Sequence, residues 1–197
     1  MIYVCVDYWD LNHACPKDNY PTPFIYQIID ECAGSEIFSF MDNFYHYNQI
    51  NIALTDQENT TFICPWGMVA YKKLPFDLKN DGATFQWEMS YAFHDIHNVF
   101  QPYLDALPAH SRKRQDHSYH LQQIFLHCRH YTIRLNPHKR VFCVESGWLL
   151  SFIISKDGIR LDPLKVEAIV NLPPSSSLHQ LQSLQGKANF LLRFIPN

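Results

Sequence analysis

The stretch Ile37-Phe38-Ser39-Phe40-Met41-Asp42 constrains the fold more than any other in the chain. It is short, almost continuously apolar and ends on an acid, the pattern of a strand covered on both faces that carries Asp42 to its end. A second acid is delivered in a similar way. Tyr103-Leu104-Asp105-Ala106 lies between the apolar arms Val99-Phe100-Gln101-Pro102 and Leu107-Pro108-Ala109-His110, which predicts a tight hairpin with Asp105 at its tip. Carboxylates fixed by buried strands suit hard divalent cations, which take oxygen ligands and rarely settle for one acid. The neighbour of Asp105 is Ala106, which offers no oxygen. For Asp42 a second reading stands beside the first, as the N-cap of a short following helix.

Around these acids the chain has the makings of a globular core. Its 197 residues are 47% hydrophobic and 15% aromatic, outside the range of disordered segments. No stretch approaches the roughly 20 apolar residues that cross a bilayer. The start, Met1 to Asp7, lacks the basic opening of a signal peptide and alternates like a strand. Six scattered cysteines without a C-x-x-C pair fit reduced thiols of an intracellular protein. The formal net charge of −3 lacks the basic excess common in nucleic-acid binders, yet Lys72, Lys73 and Lys79, Arg112-Lys113-Arg114 and His138-Lys139-Arg140 are bunched. Solvated faces and a nucleic-acid track are the two readings of those clusters.

Taken in order, residues 2–8 read as a strand and Asp10 to Tyr20 as a polar connection. Thr22-Pro23 supplies an N-cap and a first-turn proline for a helix through Cys32, closed by Gly34. Runs 60–64 and 68–72 form a hairpin about Pro65-Trp66-Gly67. A helix over 82–98 buries Phe85, Met89, Ala92, Phe93 and Ile96, and another over 115–130 buries Leu121, Ile124, Phe125 and Cys128. Short strands are expected near 132–135, 141–144 and 148–154, the last two joined through Glu145-Ser146-Gly147. Asp162-Pro163 starts a helix to Val170, 173–177 is a linker, and a last helix covers 178–194. The fold class is α+β, with helices packed on a mainly antiparallel sheet, followed from position 158 by a small helical tail.

His110, His117, His120, His127 and His130, with Cys128 among them, raise a zinc reading. The pairs 117/120 and 127/130 are more than about 10 Å apart along a helix, so one ion cannot join them. Neither C-x-x-C nor H-E-x-x-H spacing occurs, and these side chains read as exposed helix histidines. P-loop, dinucleotide-binding and hydrolase-elbow motifs are likewise missing from the sequence. Two acids on separate strands remain, the raw material of a two-metal phosphoryl-transfer site.

The motifs in sequence then resemble one family. Val4-Cys5-Val6-Asp7-Tyr8-Trp9-Asp10-Leu11-Asn12, Phe38-Ser39-Phe40-Met41-Asp42, Leu74-Pro75-Phe76-Asp77-Leu78-Lys79-Asn80-Asp81-Gly82-Ala83-Thr84-Phe85-Gln86 and Tyr103-Leu104-Asp105-Ala106 are similar to the reverse transcriptase of Ty3/gypsy-type LTR retrotransposons. Leu135-Asn136-Pro137-His138-Lys139, Leu150 to Ile159 and Pro163 to Ile169 extend the likeness across the chain. It implies a right-hand polymerase fold: fingers and palm over 1–157, the fingers truncated at the N-terminus, and a thumb-like helical subdomain over 158–197. It implies an RNA-directed DNA polymerase with two Mg²⁺ (or Mn²⁺) ions. Its partners would be an RNA/DNA template-primer and deoxynucleotide triphosphates, within a Gag-Pol-type polyprotein and without a membrane.

By that resemblance Asp42 and Asp105 are the catalytic and metal-binding acids, with Asn43 contributing its carbonyl. Tyr47 packs under the incoming sugar, Phe76 lines the nucleotide pocket, and Leu150, Ser151 and Phe152 position the primer end. For Tyr47 and Phe76 a packed-core reading stands equally. The departures fall on the chemistry. Ala106 replaces the second acid of the Tyr-x-Asp-Asp hairpin, Tyr3 and Trp9 replace arginines, and His46, Asp77 and Ser151 replace glycines. The expectation is an impaired or inactive copy, with a non-catalytic nucleic-acid-binding remnant as the alternative.

Overall fold

The structure, a computed structural model, describes residues 5–44, 46–172, 174 and 176–194. Its centre is the strand β1 (Ile37–Asp42), flanked antiparallel by β4 (Ala106–Ser111) on one side and β5 (Val141–Val144) on the other. A second sheet joins β6 (Ser146–Leu149), β7 (Phe152–Ser155) and β8 (Gly158–Leu161) in order, and β2 (Phe62–Cys64) pairs with β3 (Gly67–Val69) as a separate hairpin. The helices are α1 (Trp9–Ala14), α2 (Ile25–Cys32), α3 (Leu54–Gln57), α4 (Asp81–Ala92), α5 (His117–His130), α6 (Pro163–Val170) and α7 (Leu178–Leu191).

The apolar run of β1 is explained by two cores, one on each face. Met41 joins Leu107, Ala109, Phe85, Met89 and Ile124 beneath α4 and α5. Phe38 joins Ile28, Ile29, Cys32, Phe152 and Ile154 beneath α2 and the second sheet. Successive strand side chains point to opposite faces, so a strand between two layers must be apolar almost throughout. The approach of β6 to β1 is close: a Cβ on Gly147 would collide with the Phe40 ring. Glycine is the residue that lets this backbone lie flat over an aromatic face.

Several expectations need correction. The strand expected over 2–8 is not formed at 5–8, and 1–4 lie outside the described residues. Helix α1 occupies part of the supposed polar connection. The Asp7 carboxylate accepts from the Trp9 N–H and turns the chain inward, and the Asn12 side chain donates to the Asp77 carbonyl and accepts from the Lys79 N–H. Helix α2 starts at Ile25, after Phe24 rather than Thr22, while Gly34 closes it with φ 75°. The helix expected to reach 98 ends at Ala92 and continues as a 3-10 turn, His94–Ile96. Near 132–135 there is only the bridge Asn43–Leu135.

The run 148–154 is two strands. The turn falls at Leu150-Ser151, both at positive φ (48° and 77°), and not at Glu145-Ser146-Gly147. Because β8 pairs with β7, the sheet continues past position 158, and the helical segment begins at Pro163. There the Asp162 side chain caps α6 by accepting from the Leu164 N–H. The linker expected over 173–177 lies partly outside the described residues.

The histidines differ most from expectation. His110 and His117 are buried. His117 bridges Ser39 Oγ (Nε2, 2.7 Å) and Ser111 Oγ (Nδ1, 2.7 Å), and Ser111 Oγ also meets His120 Nδ1 at 2.7 Å. Serines on β1 and β4 provide the polar partners that a buried imidazole requires.

Candidate functional site

β1 and β4 run in register so that Asp42 is the cross-strand partner of Ala106. The β4 strand is entered through a two-residue loop: Tyr103 N–H donates to Ala106 O and Ala106 N–H to Tyr103 O, each at 2.9 Å, leaving Leu104-Asp105 at the tip. Leu104 takes φ 49°, a left-handed value that such tight loops require at a central residue. Gln86, buried in α4, clamps this loop. Its Oε1 accepts from the Leu104 N–H (2.9 Å) and its Nε2 donates to the Pro102 carbonyl (3.0 Å). One side chain thus ties both the arm and the tip of the loop to a helix packed in the core.

The loop puts Asp105 between two depressions. One, of about 210 Å³, is lined by Asp42, Asp105, Ala106, Lys139 and Leu150 among others. The other, of about 240 Å³, is lined by Tyr47, Phe76, Phe85, Leu104 and Asp105. Asp42, Asp105 and Leu150 therefore meet on one side of the loop, and Tyr47, Phe76 and Asp105 on the other. Asp42 is mostly enclosed, its side chain 17% exposed, and Lys139 Nζ lies 3.2 Å from Oδ2. In the sequence Lys139 stands in a basic cluster and at the end of the Leu135–Lys139 motif, neither of which points to Asp42. The signal for its role is spatial, since the 135–139 segment is carried to the strand end by the Asn136 N–H donating to the Asp42 carbonyl (2.8 Å).

Tyr47 stands edge-on to Phe76 (5.8 Å between centroids) and Phe85 (5.4 Å), so it is both packed and lining a depression. Burial, then the Asp81 and Asp105 carboxylates, push its hydroxyl pKa up. Asp81 is itself pushed up by burial and by Asp77. Asp77 adopts φ 73°, a conformation that costs a non-glycine residue about 1–2 kcal/mol. The same holds for Ser151. Two of the three positions where the resemblance expects glycine, 77 and 151, therefore have a backbone that favours it.

The remaining site residues divide. The Asn43 side chain turns inward, its Nδ2 3.8 Å from Met89 Sδ and its Oδ1 buried without a hydrogen-bond partner among the described residues. Phe152 is buried against Tyr26 and Phe194, one residue beyond the turn that holds Leu150 and Ser151. Trp9 is an exposed wall of a separate depression with Asn12, His13, Asp77 and Lys79. Tyr3 and the side chain of His46 lie outside the described residues.

For a divalent ion the donor set is incomplete. Asp42 and Asp105 line one depression and fit an oxygen-seeking cation, but the position facing Asp42 is a methyl group, and an ammonium, Lys139 Nζ, already lies 3.2 Å from Asp42 Oδ2. No group of three or more His, Cys, Asp or Glu suited to a metal occurs among the described residues.

Comparison with known proteins agrees with this geometry. The family model for reverse transcriptase (RNA-dependent DNA polymerase) matches residues 1–176. The chain is 30% identical over 191 residues to the retrovirus-related Pol polyprotein from transposon gypsy of Drosophila melanogaster, covering 96% of this chain and 18% of that protein. It is 25% identical over 194 residues to the transposon Tf2-7 polyprotein of Schizosaccharomyces pombe, covering 97% and 14%. The chain thus spans less than a fifth of the length of either relative. Among solved structures, a foamy viral protease-reverse transcriptase in complex with double-stranded DNA superposes with TM-score 0.85 at 21% identity, over 97% of this chain and 34% of that one. The same kind of enzyme in complex with an RNA/DNA hybrid gives 0.76 at 20% identity, over 94% and 25%. These superpositions establish a right-hand polymerase fold. With the family model spanning most of its length, the chain belongs to the reverse transcriptase (RNA-dependent DNA polymerase) family, in the branch of the Ty3/gypsy-type retrotransposon polyproteins.

Proposed function

We propose that this chain is the polymerase segment of a retrotransposon Gag-Pol-type polyprotein, acting inside the cell, whose nucleotidyl transfer is impaired by Ala106. In this reading residues 1–157 are fingers and palm and 158–197 the thumb. Asp42 and Asp105 hold the catalytic cations, with the Asn43 carbonyl beside them. Tyr47 and Phe76 receive the deoxynucleotide, and Leu150, Ser151 and Phe152 form the turn under the primer end of an RNA/DNA template-primer. Two Mg²⁺ or Mn²⁺ ions, when bound, supply activation of the primer hydroxyl and stabilisation of the leaving pyrophosphate. The chain's own part is to fix the two acids on strand ends, to wall the sugar with Tyr47, and to keep the loop rigid through Gln86. The observation that carries this reading is the shared depression of Asp42, Asp105 and Leu150 at the β1–β4 strand end.

Losing one carboxylate from such a site removes several kcal/mol of preorganised charge stabilisation, so a rate loss of about 10³-fold or more is expected. The test is primer extension on an RNA template with Mg²⁺ or Mn²⁺, comparing the chain with Ala106→Asp. Extension by Ala106→Asp alone supports the assignment. Extension by the unaltered chain at an equal rate overturns the role given to position 106.

A second reading, a non-catalytic nucleic-acid-binding remnant, is favoured by the Lys139 ammonium lying against Asp42. A protein cation there offsets the charge that a metal would otherwise balance. Template-primer binding with a steep salt dependence, and no extension by either form, selects this reading.

A further inference from the structure

Beside the Tyr47 depression, and sharing only Phe85 with it, lies a second cavity of about 430 Å³. Its walls include Phe85, Met89, Tyr131 and Ile133, and Lys73 and Arg134 line it as well. The wall is well supported. Phe85 and Met89 belong to the buried core, and the Tyr131–Ile133 segment is pinned by Tyr131 N–H to His127 O (2.9 Å) and Ile133 N–H to Cys128 O (2.8 Å). Thr132 between them sits at φ 59°, which turns the chain sharply.

The polar groups around the cavity divide into spent and unspent. Gln49 is fully used: Nε2 donates to the carbonyls of Phe44 (2.7 Å) and Arg134 (3.1 Å), and Oε1 accepts from the Arg134 N–H (2.6 Å). Lys73 Nζ donates to the Gln49 carbonyl at 2.9 Å, which leaves two of its three protons. The Arg134 guanidinium makes no hydrogen bond or ion pair among the described residues, although its backbone is held at both N–H and carbonyl. Against these two cations the cavity lining offers one carboxylate, Glu88. A small apolar floor within a largely polar lining, a net positive charge and an unspent guanidinium on an anchored backbone form a consistent set of recognition groups.

We infer that this cavity binds a small planar aromatic carboxylate, its ring against Phe85 and Tyr131 and its carboxylate on Arg134 and Lys73. Guanidinium and carboxylate match as a two-point pair, and the flat ring fits walls that are already formed. The inference does not depend on polymerase activity.

The test is a titration of the whole chain with 2-naphthoate, followed by the Met89 and Ile133 methyl resonances, and repeated with the uncharged 2-naphthamide. Saturable shifts at both methyls are expected, with the amide about tenfold weaker, the factor that one charged hydrogen bond supplies. Arg134→Glu, at an exposed position, is expected to weaken naphthoate by at least the same factor. Absence of saturable shifts, equal binding of the amide, or naphthoate binding that survives Arg134→Glu would each overturn the inference. The comparison of the two ligands on the unaltered chain decides the matter even where the variant folds poorly.

Discussion

Asp42 and Ala106 are cross-strand partners on the last rung of β1 and β4, so their side chains leave the sheet on one face. Directly opposed Cβ atoms in an antiparallel pair are about 4.5–5.5 Å apart. An aspartate at 106 would place a second carboxylate within reach of any cation on Asp42. Without metal, Ala106→Asp is expected to lower stability by about 0.5–1 kcal/mol through like-charge opposition. Mn²⁺ should reverse that loss and stabilise the variant more than the unaltered chain. Thermal unfolding of both forms across a Mn²⁺ series checks this, and equal Mn²⁺ responses would remove position 106 from the metal site.

Gln86 is the side chain that holds Asp105 in place, since it satisfies both Leu104 N–H and Pro102 C=O. Gln86→Leu keeps the volume but leaves a part-buried donor and acceptor unpaired. A loss of about 1–2 kcal/mol is expected from the two broken hydrogen bonds. Amide hydrogen exchange at Leu104 should rise more than at Met41 in β1, because the loop is released while the sheet remains. Uniform acceleration at both sites would mean that Gln86 supports the core and not the loop.

Asp77 and Ser151 occupy left-handed backbone at φ 73° and 77°. Asp77→Gly and Ser151→Gly each relieve steric strain of about 1–2 kcal/mol, offset by the added freedom of glycine in the unfolded chain. A net gain of about 0.5–1 kcal/mol per site is expected in urea unfolding. Alanine at the same positions should bring no gain, because it retains the Cβ that causes the strain. If alanine stabilises as much as glycine, the effect comes from the polar side chain instead.

The elements legible in the sequence are those whose signals are local. The run 37–42 declared its two-sided burial, Asp162-Pro163 declared its cap, and the apolar spacing of 85, 89 and 92 declared the buried face of α4. The acids of the candidate site were legible for the same reason, each standing at the end of an apolar run. What could not be read depends on distant partners. Helix α1 is held by Asn12, Lys79 and Asn80 through bonds that span more than 60 positions. The turn at Leu150-Ser151 carries no glycine, asparagine or aspartate to signal its positive φ, and Gly147, which drew the turn toward itself, is a glycine because the Phe40 ring lies beneath it. Lys139 reached Asp42 only through the folded path of the chain.

His110 offers the clearest pH signature. It is buried, its Nδ1 lies 3.1 Å from Ser35 Oγ, and its Nε2 has no hydrogen-bond partner among the described residues. Burial, then the positive charge of Arg112 and of His120 and His117 when protonated, lowers its pKa from 6.5 to about 4. The unfolded chain therefore binds a proton near pH 6.5 that the folded chain refuses until about 4. His110 contributes fully to stability above the unfolded value, and the contribution fades as pH falls from about 6.5 to about 4. The whole shift corresponds to about 3 kcal/mol. His117, lowered by burial and His120, acts in the same direction. Urea midpoints between pH 7.5 and 4.5 should fall steeply for the unaltered chain and less steeply for His110→Gln, which removes the titrating ring. If the two slopes coincide, the acid sensitivity of the fold belongs to His117 or to the carboxylates, and not to His110.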